Sequence, residues 1–278
     1  MLVFAPQTAN AGALHTDGSL ESLQMARVFG AFQTEKMSIS FERRSDTRMY
    51  FDQQSVNIDE EFGHCVGAFF LINPGTAKPI EERSKSAPWG ALTYNDERLL
   101  PHLEKVLDHA LGVVHAKSKA VENELKKHAY IQILNLAYIR DALNAGCALG
   151  MWRELVKSKK DTDDVPHLPR GKERLRFVVF GWGDSYKPDL DEPRIVRVLE
   201  ECVGSDTQLF FPSNAAIKGD EEIRQETACV DGLREQLRRH RKPAPAYPCG
   251  ARNAGKRFLD QYCKSMGPLI GEALCETS

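Results

Sequence analysis

Seven cysteines (65, 147, 202, 229, 249, 263 and 275) form no C-x-x-C pair anywhere in the chain. That argues against a zinc site and against a disulfide framework, and points to reduced thiols in a cytoplasmic compartment. A Gly-rich phosphate loop, a Gly-x-Ser-x-Gly elbow and any internal repeat are also missing, so the sequence offers none of the common nucleotide, hydrolase or solenoid signatures. No apolar run is long enough to cross a bilayer. Met1-Leu-Val-Phe-Ala-Pro has neither the basic start nor the long apolar core of a signal peptide, so a cytoplasmic location is expected. His64, His102, His109, His128 and His167 show no metal-ligand spacing, and neither a metal nor a cofactor is expected. A formal net charge of −2 gives no overall drive toward nucleic acid; affinity for a polyanion has to come from local patches.

What is present is the material of a soluble globular protein: 278 residues, 42% hydrophobic and 27% charged, enough for one large domain or two small ones. Gly67 to Ile72 is aromatic and aliphatic without charge, which reads as a strand buried on both faces. It stops at Asn73-Pro74-Gly75, a strong turn signal, and so delivers an asparagine to a sheet edge. Three further strands follow, at Tyr130 to Leu136, Leu175 to Phe180 and Thr207 to Phe211. Between and around them helices are expected at Leu99 to Val114, Lys117 to Lys127, Ala142 to Val156 and Ile195 to Val203, with polar loops at 78–94 and 157–172. Alternating strands and helices imply a three-layer α/β/α domain with a mainly parallel central sheet.

The domain is expected over 34–220. Before it, 1–33 reads as a loose tail with a short amphipathic helix from Ser19 to Phe32. A β-hairpin is expected from Ser38-Ile-Ser-Phe-Glu42 through an Arg43 to Asp46 turn to Thr47–Phe51, laid on the sheet edge. Its Arg43, Arg44 and Arg48 are either a solvated turn or a phosphate contact. After the domain, 221–278 reads as a helical extension packed on it. There, Leu233 to Lys242 is a helix ending in Arg238-Arg-His-Arg-Lys242. Such an end could grip phosphates or simply complement the helix dipole.

Four strand tips, carrying Asn73, Asn135, Trp182 and Ser213 with Asn214, thus converge on one edge, the edge where open parallel sheets bind ligands. In their order these tips resemble the uracil-DNA glycosylase superfamily over about residues 65–220. Leu71-Ile72-Asn73-Pro74-Gly75 is similar to that family's first motif with Leu for the first glycine, and Leu134-Asn135 to its base-reading motif. Gly181-Trp182-Gly183 is similar to its third motif, while Phe211-Pro212-Ser213 matches the last only in part. A second likeness, to an uncharacterised bacterial and phage family with a Leu-Asn-Pro-Ser-Thr-Ala motif, rests on Ile72-Asn73-Pro74-Gly75-Thr76-Ala77, Asn135-Leu136-Ala137-Tyr138-Ile139-Arg140 and Gly181-Trp182-Gly183.

The first resemblance implies base excision from DNA by a flipped-base mechanism. It implies Asn73 and Ser213 as catalytic residues, Asn73 orienting the attacking water. The implied substrate-binding residues are Leu71, Pro74, Gly75, Trp89, Asn135, Trp182, Asn214 and Lys218, with Trp89 stacking the base and Asn135 pairing with its edge. Each has a plainer alternative: Asn73 and Asn135 as turn caps, Trp89 as an ordinary core or lid tryptophan. Where the better catalysts of that family carry a histidine that donates to the leaving base, this chain has Phe211, which donates nothing. One missing donor of that kind costs roughly 3 kcal/mol. Asn214 or Lys218 would have to replace it, and Ile217 is either a wedge into the duplex or part of a buried helical turn. DNA or a nucleotide is the expected partner. A binding module without chemistry and an enzyme on free nucleotides are the rivals.

Overall fold

A computed structural model describes residues 25–33, 43–55, 62–72, 78–79, 89–93, 99–137, 145–157, 174–246, 248 and 256–276. The chain runs through β1 (Met25–Gln33), β2 (Arg43–Ser55), β3 (His64–Leu71), β4 (Lys78–Pro79), β5 (Trp89–Thr93), α1 (Leu99–Lys117), α2 (Lys119–Leu125) and β6 (Ala129–Asn135). It continues with α3 (Ala145–Lys157), β7 (Leu175–Phe180), α4 (Pro188–Glu200), β8 (Val203–Phe211), α5 (Asn214–Lys218), β9 (Arg224–Thr227), α6 (Leu233–Arg239) and α7 (Lys256–Glu276).

These strands make one mixed sheet in the order β5-β1-β2-β6-β3-β7-β8-β9, with the two-residue β4 added beside β5. The middle is parallel: β6 with β3, β3 with β7, and β7 with β8. Every other pairing is antiparallel. The expected mainly parallel sheet is therefore corrected to a parallel quartet with antiparallel flanks. The cause lies in segments whose pattern does not mark them as sheet. Residues 25–33, within the expected tail and helix, form β1: Val28 packs into one core cluster and its neighbour Phe29 into the other, the alternation of a strand. Likewise the expected Arg43–Asp46 turn is strand. β2 runs straight through it and pairs with β1, Phe29 opposite Arg48. Residues 38–42, the first arm of the expected hairpin, lie outside the described residues. Within the expected 78–94 loop, β4 and β5 extend the sheet instead.

Helices cover both faces. On one, α1, α2 and α7 pack over Val66, Phe69, Leu71, Ile133 and Phe177. On the other, α3, α4 and α6 pack over Ala68, Phe70, Leu134, Phe180 and Phe211. Along α7 the contact with α1 is close enough to require glycine: a Cβ on Gly267 would lie 2.3 Å from His109 Cβ, and one on Gly271 2.7 Å from Val113 Cβ. The described residues of 221–278 are woven into the same core, contributing β9 to the sheet edge, α6 to one face and α7 to the other. No helix among the described residues is long and apolar enough to cross a membrane.

Within the quartet the chain order is second, first, third, fourth. From β3 the chain moves one way to β6, then crosses back over β3 to reach β7 and β8. The direction reverses at β3, and the helices that follow change face accordingly, α1 and α2 on one side, α3 and α4 on the other. Such a reversal opens a crevice outside the carboxyl ends of the strands it separates, here β3 and β7.

Candidate functional site

The tips of the quartet stand level because the parallel register is set by buried aromatic and aliphatic residues. Leu71 pairs with Asn135, Phe70 with Phe180 and Val179 with Phe210. Beyond the last pairs the backbone stays tied: Leu136 N–H donates to Leu71 O (2.8 Å), Ala137 N–H to Ile72 O (2.9 Å) and Gly181 N–H to Phe70 O (2.8 Å). Four strands drawn from distant parts of the sequence thus present Leu71, Asn135, Trp182 and Ser213 along one edge.

That edge is roofed on its β7 and β8 side. After α6 the chain turns back, and Pro245, Ala246 and Pro248, all three buried, lie against the tips. Ala246 N–H donates to Pro212 O (2.5 Å) and Gly183 N–H to Pro245 O (2.8 Å). Gly181 is where strap and sheet meet: a Cβ there would lie 3.0 Å from both Leu71 Cδ2 and Pro248 Cδ. The chain's own prolines therefore cover the β7 side of the crevice at the chain reversal.

Below the roof runs an aromatic ladder. Tyr186 stacks on Trp182 with centroids 4.6 Å apart, and Trp182 leans on Phe180 at 4.8 Å. Phe180 stacks on Phe211 at 4.7 Å, and Phe211 on His240 at 4.3 Å. Phe211 is thus held between two rings. The Trp182 Nε1 and the Tyr186 hydroxyl are buried with no hydrogen-bond partner among the described residues. Burial, with Glu192 and Asp191 nearby, pushes the Tyr186 phenol well above its ordinary range, so it stays protonated. At the other end of the ladder His240 Nε2 lies 2.7 Å from Glu226 Oε1. Burial alone would raise the Glu226 carboxyl, but hydrogen bonds from His240 and Gln236, with Arg239 close by, outweigh it and hold the group below the usual carboxylate range.

Ser213 is buried and fully engaged: its hydroxyl contacts a Glu221 carboxylate oxygen and accepts the Ala216 N–H at 3.0 Å, capping α5. Asn214 and Lys218 are exposed at the two ends of that short helix, and Ile217 is buried within it. Leu71 points into the α1 and α7 core, Asn135 is buried at the end of β6, and Trp182 is 1% exposed within the ladder. Trp89 stands apart from them, on β5, three strands from β6 or roughly 14 Å at the usual strand spacing. It is buried, with the Arg48 guanidinium 4.0 Å above its ring and 4.6 Å from the Tyr130 ring. Arg48 is therefore interior, not part of a solvated turn. Asn73, Pro74 and Gly75 lie outside the described residues.

Sequence reading missed the strap, the His240 and Glu226 pair, and a second buried pair. In the latter the Arg153 guanidinium of α3 grips the Asp191 carboxylate of α4, donates to Ser185 O at 2.6 Å, and shares Asp191 with the Lys187 N–H (2.7 Å). It borders a cleft of about 280 Å³ lined in part by Trp152, Lys157, Leu190 and Arg194. Only Pro245 and Pro248 carried any local signal of these features. Among the described residues no three His, Cys, Asp or Glu side chains gather in a way that would hold a metal ion. Compared with protein-family models, with curated proteins and with solved structures, the chain has no match.

Proposed function

We propose that this chain is a divergent relative of the uracil-DNA glycosylase superfamily and that it hydrolyses an N-glycosidic bond in DNA. The observation that carries the reading is the levelling of four strand tips on one edge of a parallel quartet, at a reversal of chain direction. The short motifs that carry the resemblance are spread over the chain, and this edge is where the parallel register would gather them. Because the strap ties down the β7 and β8 tips, the base enters on the β3 and β6 side. There Asn135 reads its edge, and Asn73, two residues past Leu71, orients the water. A neutral amide cannot take a proton from that water, but glycosidic cleavage through an oxocarbenium-like state asks mainly for electrostatic help to the departing base.

A second reading is a base- or nucleotide-binding module without chemistry. It is favoured by two particular facts: Phe211 is locked in a ring stack where a donor would be wanted, and Ser213 has its hydroxyl committed to Glu221 and to the cap of α5.

The test is alkali-revealed strand scission of oligonucleotides carrying uracil, hypoxanthine, xanthine or a mismatch, with wild type beside Asn73→Ala. Scission by wild type and its loss in the variant are expected. Folded protein that cleaves none of these substrates overturns the hydrolase reading in favour of the binding module.

A further inference from the structure

Beside the strand tips lies a cleft of about 350 Å³ between the first turn of α4 and the carboxyl end of α6, lined by Pro188, Asp189, Glu235, Arg238, Arg239 and Arg241. Its arginines are exposed, unlike the ladder next to it. Two of the arginines are held by carboxylates at their backs. Glu192, whose side chain is 3% exposed, accepts from Arg238 Nε at 2.8 Å and from Arg234 Nε at 3.2 Å. Glu226 accepts from Arg239 Nη1 at 2.8 Å. A guanidinium carries five donors in a rigid fork, so one such bond positions it and leaves the other donors for a ligand. Arg241 makes no ion pair among the described residues. Among the side chains that line the cleft the cations outnumber the carboxylates: Arg238, Arg239 and Arg241 against Asp189 and Glu235.

Its location decides what such a cleft would take. Arg241 precedes Pro245 by four residues, a span of at most about 14 Å, and Pro245 is hydrogen-bonded to Gly183 at the β7 tip. A strand that gave up a base at the tips would lay its neighbouring phosphates within reach of these forks, which match a phosphate in bidentate fashion. We propose that the cleft between α4 and α6 binds the phosphate backbone of DNA, in the strand whose base enters at the sheet edge. The inference rests on the reading of this protein as acting on DNA, and it supplies locally the positive surface that a net charge of −2 denies globally.

The test is fluorescence anisotropy of a short labelled uracil-containing single strand across a salt series, with base excision scored on the same samples. Wild-type affinity falls with salt. Arg241→Gln weakens binding several-fold at low salt and reduces the slope of log affinity against log salt by about 0.7, the loss of one single-strand phosphate contact. Asp189→Asn, which removes a negative charge from the same rim, tightens binding, while Lys264→Gln, an exposed cation on α7, the helix of the opposite face, leaves it unchanged. The inference is overturned if wild type shows no salt-dependent binding, or if Arg241→Gln and Lys264→Gln weaken it equally. It is also overturned if a deoxynucleoside monophosphate binds as tightly as the oligonucleotide with the same dependence on Arg241, because the cleft is then a nucleotide site. Excision with binding indifferent to Arg241 sinks the cleft and spares the glycosylase reading. Arg241-dependent binding without excision of any base does the reverse.

Discussion

The two helical faces of the sheet are built on opposite principles. Under α1 and α7 the core is aliphatic and aromatic, and the helices approach until only glycine fits between them. Under α3, α4 and α6 the core contains an aromatic ladder and a set of carboxylates: Asp191 and Glu192 are 1% and 3% exposed, each gripped by arginine. Buried apolar surface stabilises on its own account, at about 25 cal/mol per Å², whereas a buried ion pair at best breaks even against its desolvation. The ions of the second face lie around the start of α4 and the end of α6, beside the arginine-lined cleft, whereas the buried Glu122 of the first face is held by Lys119, Lys126 and His115, which are about half or more exposed.

Breaking an ion pair on the second face gives the largest expected effect. Asp191→Ala leaves the Arg153 guanidinium, 9% exposed, without its carboxylate and removes the acceptor of the Lys187 N–H at the start of α4. A loss of about 3–5 kcal/mol is expected in urea denaturation. Replacing both partners, Arg153→Met with Asp191→Leu, recovers most of it, since an apolar pair of similar volume has no desolvation cost to meet. If the double variant is as unstable as the single one, the pair is not the reason for the loss.

On the first face the corresponding break is steric. Gly271→Ala puts a methyl 2.7 Å from Val113 Cβ and 2.8 Å from Ala110 O, which forces α7 away from α1. Overpacking of this kind costs about 1–3 kcal/mol. Gly112, exposed on α1 itself, is the counterpart: a methyl added there would meet nothing within 4 Å. Gly112→Ala is therefore expected to stabilise by about 0.5–1 kcal/mol through helix propensity alone. Thermal melts of the two variants should move in opposite directions.

The same contrast explains how much can be read from the sequence. The apolar runs of β3, β6 and β7 and the long helices α1 and α7 are legible because burial on one or both faces leaves a periodic mark. β9, Arg-Gln-Glu-Thr, carries no such mark; it is a strand only because the edge of β8 offers it hydrogen bonds. β1 is hidden because Val28 and Phe29 are neighbours that face opposite layers, which a helical wheel reads as one stripe. For the site, the tip residues are legible as short motifs next to turn signals. The strap, and the pairing of Arg153 with Asp191 across 38 positions, are not, because they are set by tertiary contacts between segments with no shared local pattern.

The smallest expected effect comes from an ionic cluster on the first face, and it separates burial from charge. Hydrogen bonds from Lys119, Lys126 and His115 hold the Glu122 carboxyl at about 2, well below its ordinary value of 4.5. A carboxylate whose pKa is lowered on folding stabilises the native state above its unfolded pKa, and that contribution is lost as the pH falls through the folded value. Wild type should therefore melt higher than Glu122→Gln at neutral pH, with the gap closing between about 4.5 and about 2. The three partners are about half or more exposed, so added salt should shrink the gap at neutral pH. The same salt should leave the loss in Asp191→Ala nearly unchanged, because that pair, with side chains 10% and 2% exposed, is screened much less than an exposed one. Equal salt sensitivity of the two would mean that the faces do not differ in how they hold charge.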